Sequence, residues 1–284
     1  MTIDIDPYIF HVGDIGLRWY GLLFATAVVA GFWLAARETR RLGIPRQKFE
    51  SVAAWGLVGG IVGARLFHVV DNPGVYLEHP WQALAVWEGG LAVYGGLVGG
   101  ALAGALSAWR QGVPLGRTAD GAALGMLLGQ AVGRLACIPN GDAYGSPTDL
   151  PWAFTYLNPA SMVPPNLLGV PLHPYPVYEL VFDLALLVAL ILLRKRVSFA
   201  ERPGLLFATY VIAYSTGRFV LSYFRMENVW LWGLQQAQIA SLLGAAAGVV
   251  MVVAILGRQR AGATQIATVP NSRTGEGRAS DALL

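Results

Sequence analysis

The sequence predicts an all-α polytopic membrane protein with seven transmembrane helices, its N-terminus outside and its C-terminus in the cytoplasm. Three observations predict it. Of 284 residues, 55% are hydrophobic and only 13% charged, against about 25% charged in a soluble domain. Seven apolar stretches are long enough to cross roughly 30 Å of hydrocarbon at about 1.5 Å per residue. The lysines and arginines, finally, are concentrated on one side of those stretches.

The spans fall near 16–36, 52–71, 89–109, 118–137, 175–194, 203–225 and 235–257. The first follows an acidic leader, MTIDIDPYIFHVGDIGL, which has no basic n-region and so does not read as a cleaved signal peptide. Arg37, Arg40, Arg41, Arg46 and Lys48 separate it from the second span. Spans 2 and 3 are rich in glycine: Gly56, Gly59, Gly60 and Gly63, then Gly89, Gly90, Gly95, Gly96, Gly99, Gly100 and Gly104. Small residues four apart let helix backbones approach closely in lipid; Gly95 and Gly96 can alternatively clear room for a bulky ligand beside Tyr94. Arg110 and Arg117 separate spans 3 and 4, and Arg194, Lys195, Arg196 and Arg202 separate spans 5 and 6. Arg258, Arg260, Arg273 and Arg278 follow the last span.

All of these cations lie on one side. The opposite segments 1–15, 72–88, 138–174 and 226–234 contain no lysine or arginine. The positive-inside rule sets the orientation from that asymmetry. Residues 1–257 then form one transmembrane domain, and 258–284, polar and rich in Ser, Thr and Gly, a disordered cytoplasmic tail. The outer segment 138–174 reads equally as an interfacial lid or as a plain connection. A single cysteine, Cys137, excludes an internal disulfide and any multi-cysteine metal site.

Five arginines break the pattern: Arg18, Arg65, Arg134, Arg218 and Arg225 lie toward the outer ends of their spans. A charge at a helix centre costs about 2.5–3.5 kcal/mol on insertion scales. Snorkelling to the interface accounts for Arg18 and Arg225. Arg218 lies two turns deeper than Arg225 on the same face. Glu179 and Asp183, one turn apart in span 5, can neutralise two arginines, leaving a net positive site suited to bidentate binding of a lipid phosphate.

Between spans 4 and 5 stands GRLACIPNGDAYG, Gly133 to Gly145. It resembles the signature of the prolipoprotein diacylglyceryl transferase family, roughly GRxGNxxNxExxG. RWYG at Arg18–Gly21, GARLF at Gly63–Phe67, GGLAVYGGLVGG at Gly89–Gly100, HPYPVYE at His173–Glu179 and GRFVLSYFR at Gly217–Arg225 are similar to family segments in the same order. The resemblance implies transfer of the diacylglyceryl group of phosphatidylglycerol to the lipobox cysteine thiol of a preprolipoprotein, the first step of lipoprotein maturation. A thioether forms and glycerol 1-phosphate leaves.

It further implies a bacterial cytoplasmic (inner) membrane enzyme with its site toward the outer face, with no cofactor, no metal and no nucleic-acid partner. By the match, Arg134 holds the headgroup and Arg218 acts on the phosphate or leaving group. Tyr20, Asp142 and Gly145 fall on motif positions, joined by Asn140 and Glu179, with Arg65 and Arg225 as further phosphate-binding candidates. Cys137 replaces the pattern's first asparagine, Asp142 its glutamate, Tyr94 a frequent histidine and Ser222 a frequent glutamate. The general base stays open among Tyr94, His68 and His173. An alcohol phosphotransferase is rejected because Asp120-Gly121 lacks the rest of that motif, and no serine-protease motif appears. The non-enzyme alternative is a transporter or binding protein for an anionic lipid.

Overall fold

The structure is a computed structural model describing residues 1–12, 15–86, 89–196, 199 and 201–267. Its long helices are α1 (Trp19–Arg41), α2 (Arg46–Asp71), α4 (Val93–Arg110), α5 (Leu115–Asn140), α6 (Tyr175–Leu193), α7 (Leu205–Leu221) and α8 (Gln236–Ala267). A short helix, α3 (Pro73–Glu78), and a 3-10 turn at Pro80–Leu84 connect α2 to α4. Each of the seven expected spans overlaps one long helix.

Six of these helices are long and apolar enough to cross a membrane; α4 is not among them. Its 18 residues include five glycines and end in Arg110, which dilutes its hydropathy. It also starts later than residue 89, because Gly89 and Gly90 adopt positive φ of 89° and 70°, incompatible with a right-handed helix. In the other direction, α5 runs three residues past the expected end and carries Pro139 in its last turn. Asn140 therefore stands on the helix, which stops at Gly141 with φ +73°. The last helix continues to Ala267; 268–284 of the expected tail lie outside the described residues.

The helices pack in pairs, α1 with α5 and α2 with α4, while α6, α7 and α8 close the bundle. The α2–α4 seam depends on absent side chains. A Cβ on Gly99 would strike the Gly59 carbonyl and stand 2.9 Å from Gly63 Cα. Gly95 is used the same way, against the Gly63 backbone. The alternative reading of Gly95 and Gly96 as room for a ligand is thus corrected: α2 fills that space. A leucine core of Leu34, Leu124, Leu127, Leu187, Leu190 and Leu206 joins α1, α5, α6 and α7. Meanwhile Val29, Leu66, Leu184, Val220 and Val250 are exposed on the bundle's flank; so much outward apolar surface suits a lipid solvent. The chain is a multi-pass membrane protein.

The all-α expectation needs one amendment. At the end of the bundle opposite the basic connections lies a small β cap. β1 (Thr2–Ile3) pairs in parallel with β4 (Phe154–Tyr156), and β4 antiparallel with β5 (Pro171–Leu172). Two hairpins, β2–β3 (Tyr8–Val12 with Ile15–Arg18) and β6–β7 (Val229–Leu231 with Leu234–Gln235), complete it. Segment 138–174 is more than a plain connection. Its Phe154, Tyr156, Val163, Leu167 and Leu172 share a buried core with Ile3 of β1.

Candidate functional site

Three helices bring their charges together at the capped end. Arg134 of α5 and Arg218 of α7 both converge on Glu179 of α6, which is 2% exposed. Arg134 Nη2 lies 2.5 Å from Glu179 Oε2, and Arg218 Nη1 pairs with Oε1. Arg218 Nη1 also donates to the Tyr175 hydroxyl. Removing charges from water is costly, so a buried carboxylate persists only where cations repay it. Here one carboxylate serves two guanidiniums, leaving the cluster net positive. Asp183, one turn further along α6, is 1% exposed and its Oδ1 has no hydrogen-bond partner among the described residues; it lies beneath the ion pairs rather than in them.

A second set hangs from the end of α5. Arg18 Nη1 donates to Asn140 Oδ1 at 3.2 Å, and Arg18 Nη2 to the Tyr8 hydroxyl at 2.6 Å. Asn140 Nδ2 donates to Asp142 Oδ1 at 2.8 Å, and the Cys137 thiol lies 3.5 Å from Asp142 Oδ2. Snorkelling is therefore the wrong account of Arg18, which is anchored to buried Asn140. Tyr20 joins the two sets: it packs on Cys137, Ala143 and Tyr175 and interacts electrostatically with Asp142 and Arg134. Nearby, burial pushes the Tyr156 phenol above its ordinary pKa, with the Asp142 charge adding to the effect.

Gly145 sits where backbone meets backbone. It bridges Arg225 across an antiparallel contact, and a Cβ there would lie 2.6 Å from His173 Cβ and 2.8 Å from the Phe224 carbonyl. The signature loop is thereby stitched to the end of α7. Arg225 is thus positioned rather than free. Its guanidinium lies 5.4 Å from the Tyr175 ring centroid, with that of Arg218 at 5.5 Å, and its Nη1 pairs with Glu227 Oε1 at 2.9 Å. Tyr94 is within electrostatic range of Glu227, Arg218 and Arg225. Ser222 is buried and donates to the Arg218 carbonyl at 2.7 Å.

Arg65 is not part of this group. Its guanidinium donates to the carbonyls of Ala83 (3.0 Å), Gly89 (2.5 Å), Gly90 (3.0 Å) and Gln82 (2.5 Å). It ties down the segment between α2 and α4, beside a small polar pocket shared with His68 and Tyr76. His173 Nδ1 is 3.1 Å from the Tyr178 hydroxyl, and its ring packs on Phe224. Two residues of the charge cluster escaped sequence reading, Tyr175 and Glu227. Tyr175 is one turn before Glu179 and so shares its helix face; Glu227 carries no comparable signal beyond following Arg225.

The chain matches the sequence profile of the prolipoprotein diacylglyceryl transferase family over residues 7–254. It is 38% identical over 239 residues to the phosphatidylglycerol–prolipoprotein diacylglyceryl transferase of Thermosynechococcus vestitus, covering 84% of this chain and 88% of that one. With the same-named protein of Nostoc sp. it shares 36% identity over 259 residues, 89% of this chain and 90% of the relative. With that of Clostridioides difficile it shares 34% over 246 residues, 87% and 94% respectively.

Proposed function

The chain belongs to the prolipoprotein diacylglyceryl transferase family, and from that premise we propose that it transfers the diacylglyceryl group of phosphatidylglycerol to the lipobox cysteine of preprolipoproteins. The observation that carries the reading is the pairing of Arg134 and Arg218 on one buried carboxylate. A guanidinium has five N–H donors, and Glu179 occupies few of them. The remaining donors meet a phosphate diester and, as the glyceryl C–O bond breaks, the second charge that develops on the leaving phosphate. Donors fixed before the reaction stabilise such charge most effectively. Arg134 binds the headgroup phosphate, Arg218 the leaving oxygen, and Glu179 holds both side chains in place. Asn140, Asp142 and Tyr20 orient the wall facing them, and Gly145 allows Arg225 to close on it.

The topology belongs to the same proposal. The chain crosses the membrane seven times, α4 included, shielded by α2 along its glycine seam. The absence of lysine and arginine from 72–88 and 138–174 supports placing the capped end outside, where the site meets the outer leaflet of the bacterial inner membrane.

The test is transfer in reconstituted vesicles, with phosphatidylglycerol and a lipobox peptide that has or lacks its cysteine. Cysteine-dependent release of glycerol 1-phosphate with a thioether-linked product is the expected result; bound but unconverted phosphatidylglycerol refutes the enzyme. Arg134→Ala is expected to insert normally and lose at least ~100-fold in rate, the scale of one lost charge-stabilising donor.

A further inference from the structure

The carboxylates around the arginines differ in what their oxygens already do. Both oxygens of Glu179 are engaged by guanidiniums. Those of Asp142 meet the Asn140 amide and the Cys137 thiol. Asp183 is sealed from any substrate at 1% exposure. Glu227 differs from all three. Its Oε1 takes Arg225 at 2.9 Å and lies 4.0 Å from Arg218 Nη2. Both of these pairings fall on Oε1, and its side chain is 26% exposed, against 2% for that of Glu179. Glu227 lies between the end of α7 and β6, in the backbone stretch that Gly145 stitches to the signature loop.

A thiol attacks only as the thiolate, and its proton must be taken beside the arginines that hold the phosphate. Neither His68 nor His173 makes a hydrogen bond or ring contact with Arg134, Arg218 or Arg225 among the described residues. A phenol such as that of Tyr94 ionises near pH ~10 and is a poor acceptor when neutral. Ser222 is buried and already donating.

We propose that Glu227 accepts the thiol proton of the incoming cysteine, a role that rests on the transferase reading above. The S–H proton passes to Oε2. The sulfur electron pair forms the C–S bond at the glyceryl carbon, and the C–O bond to phosphate breaks with its pair remaining on the phosphate oxygen. Glycerol 1-phosphate departs, and Glu227 returns its proton to water. Among the described residues, the charged and titratable groups that interact with Glu227 are Arg225, Arg218 and, through its charge, Tyr94. The two arginines lower the pKa of a thiol placed between them, which eases its transfer to a carboxylate.

The experiment compares wild type, Glu227→Gln and Glu227→Asp in the vesicle assay from pH 6 to 9, with phosphatidylglycerol binding measured in parallel. Glu227→Gln is expected to bind the anionic lipid at least as tightly as wild type and to react ~100-fold or more slowly at pH 7, within the usual range for a lost general base. Its rate then climbs with pH, by at most about tenfold per unit and only below the pKa of the thiol, as solvent takes over removal of the proton. Glu227→Asp keeps a carboxylate and recovers part of the rate. A Glu227→Gln protein at wild-type rate overturns the assignment, as does a loss of equal size at every pH, which marks a structural role. An inactive wild type overturns the transferase reading itself and this role with it, whereas failure of the base assignment alone leaves wild-type transfer intact.

Discussion

Glu179 is the residue whose removal says most about how the site is held. Glu179→Gln keeps the shape of the side chain and one acceptor oxygen but removes the charge shared by Arg134 and Arg218. Stripping one partner from a buried ion pair costs about 3–5 kcal/mol, because it leaves a charge uncompensated. Two features reduce that figure: the arginine side chains are 20% and 14% exposed, and Arg218 keeps its hydrogen bond to Tyr175. A loss of roughly 2–4 kcal/mol follows, equivalent to about 3–7 °C in melting temperature for a chain this size. The lipid phosphate can supply part of the negative charge that the variant lacks, so saturating phosphatidylglycerol should recover a larger share of stability in the variant than in wild type; ligand at ~100 Kd contributes about 2.7 kcal/mol. Thermal unfolding in neutral detergent, with and without phosphatidylglycerol, reads both effects. An unchanged melting temperature, or a fall that the anionic lipid does not reduce relative to wild type, refutes the shared-carboxylate account.

Gly145→Ala should insert normally but lose at least tenfold in transfer rate, because its Cβ meets His173 and the Phe224 carbonyl and pushes the signature loop off Arg225; the vesicle assay with a parallel insertion assay checks it. Arg65→Ala should behave differently from Arg134→Ala. It frees the carbonyls of Gln82, Ala83, Gly89 and Gly90, so limited proteolysis between α2 and α4 should accelerate severalfold while affinity for phosphatidylglycerol stays within about twofold. A large loss of lipid affinity in Arg65→Ala would return that residue to the binding site.

What the sequence made legible follows from which partners a linear pattern can display. Long apolar runs and one-sided cations locate the helices because membrane insertion reads those same quantities. Arg134 and Arg218 stand out because a charge in an apolar run is expensive. Arg65 looks identical by that criterion, yet its partners are four backbone carbonyls, which no residue pattern shows. The β cap was missed because its strands, two to five residues long, depend on pairings such as Thr2 with Thr155 and Phe154 with Leu172. Asn140 lies past the apolar run that marks span 4, yet α5 continues through Pro139 to reach it.

The placement of the acids explains why a site of this kind is built around more arginines than carboxylates. Arg18, Arg134, Arg218 and Arg225 are met at the capped end by Glu179, Glu227 and Asp142, the last only through Asn140. Among these seven groups one positive charge is in excess, which matches the single charge of a phosphate diester. Reaction adds a second negative charge to that phosphate and removes a proton from the thiol. If Glu227 takes the proton it becomes neutral, and the excess rises to two at the moment the leaving group reaches the same charge. Glu179, shared and buried, cannot change its occupancy without releasing both arginines. A fixed acid to hold the cations and an open acid to change charge with the reaction are different requirements, and Glu179 and Glu227 have the two contact patterns those requirements call for.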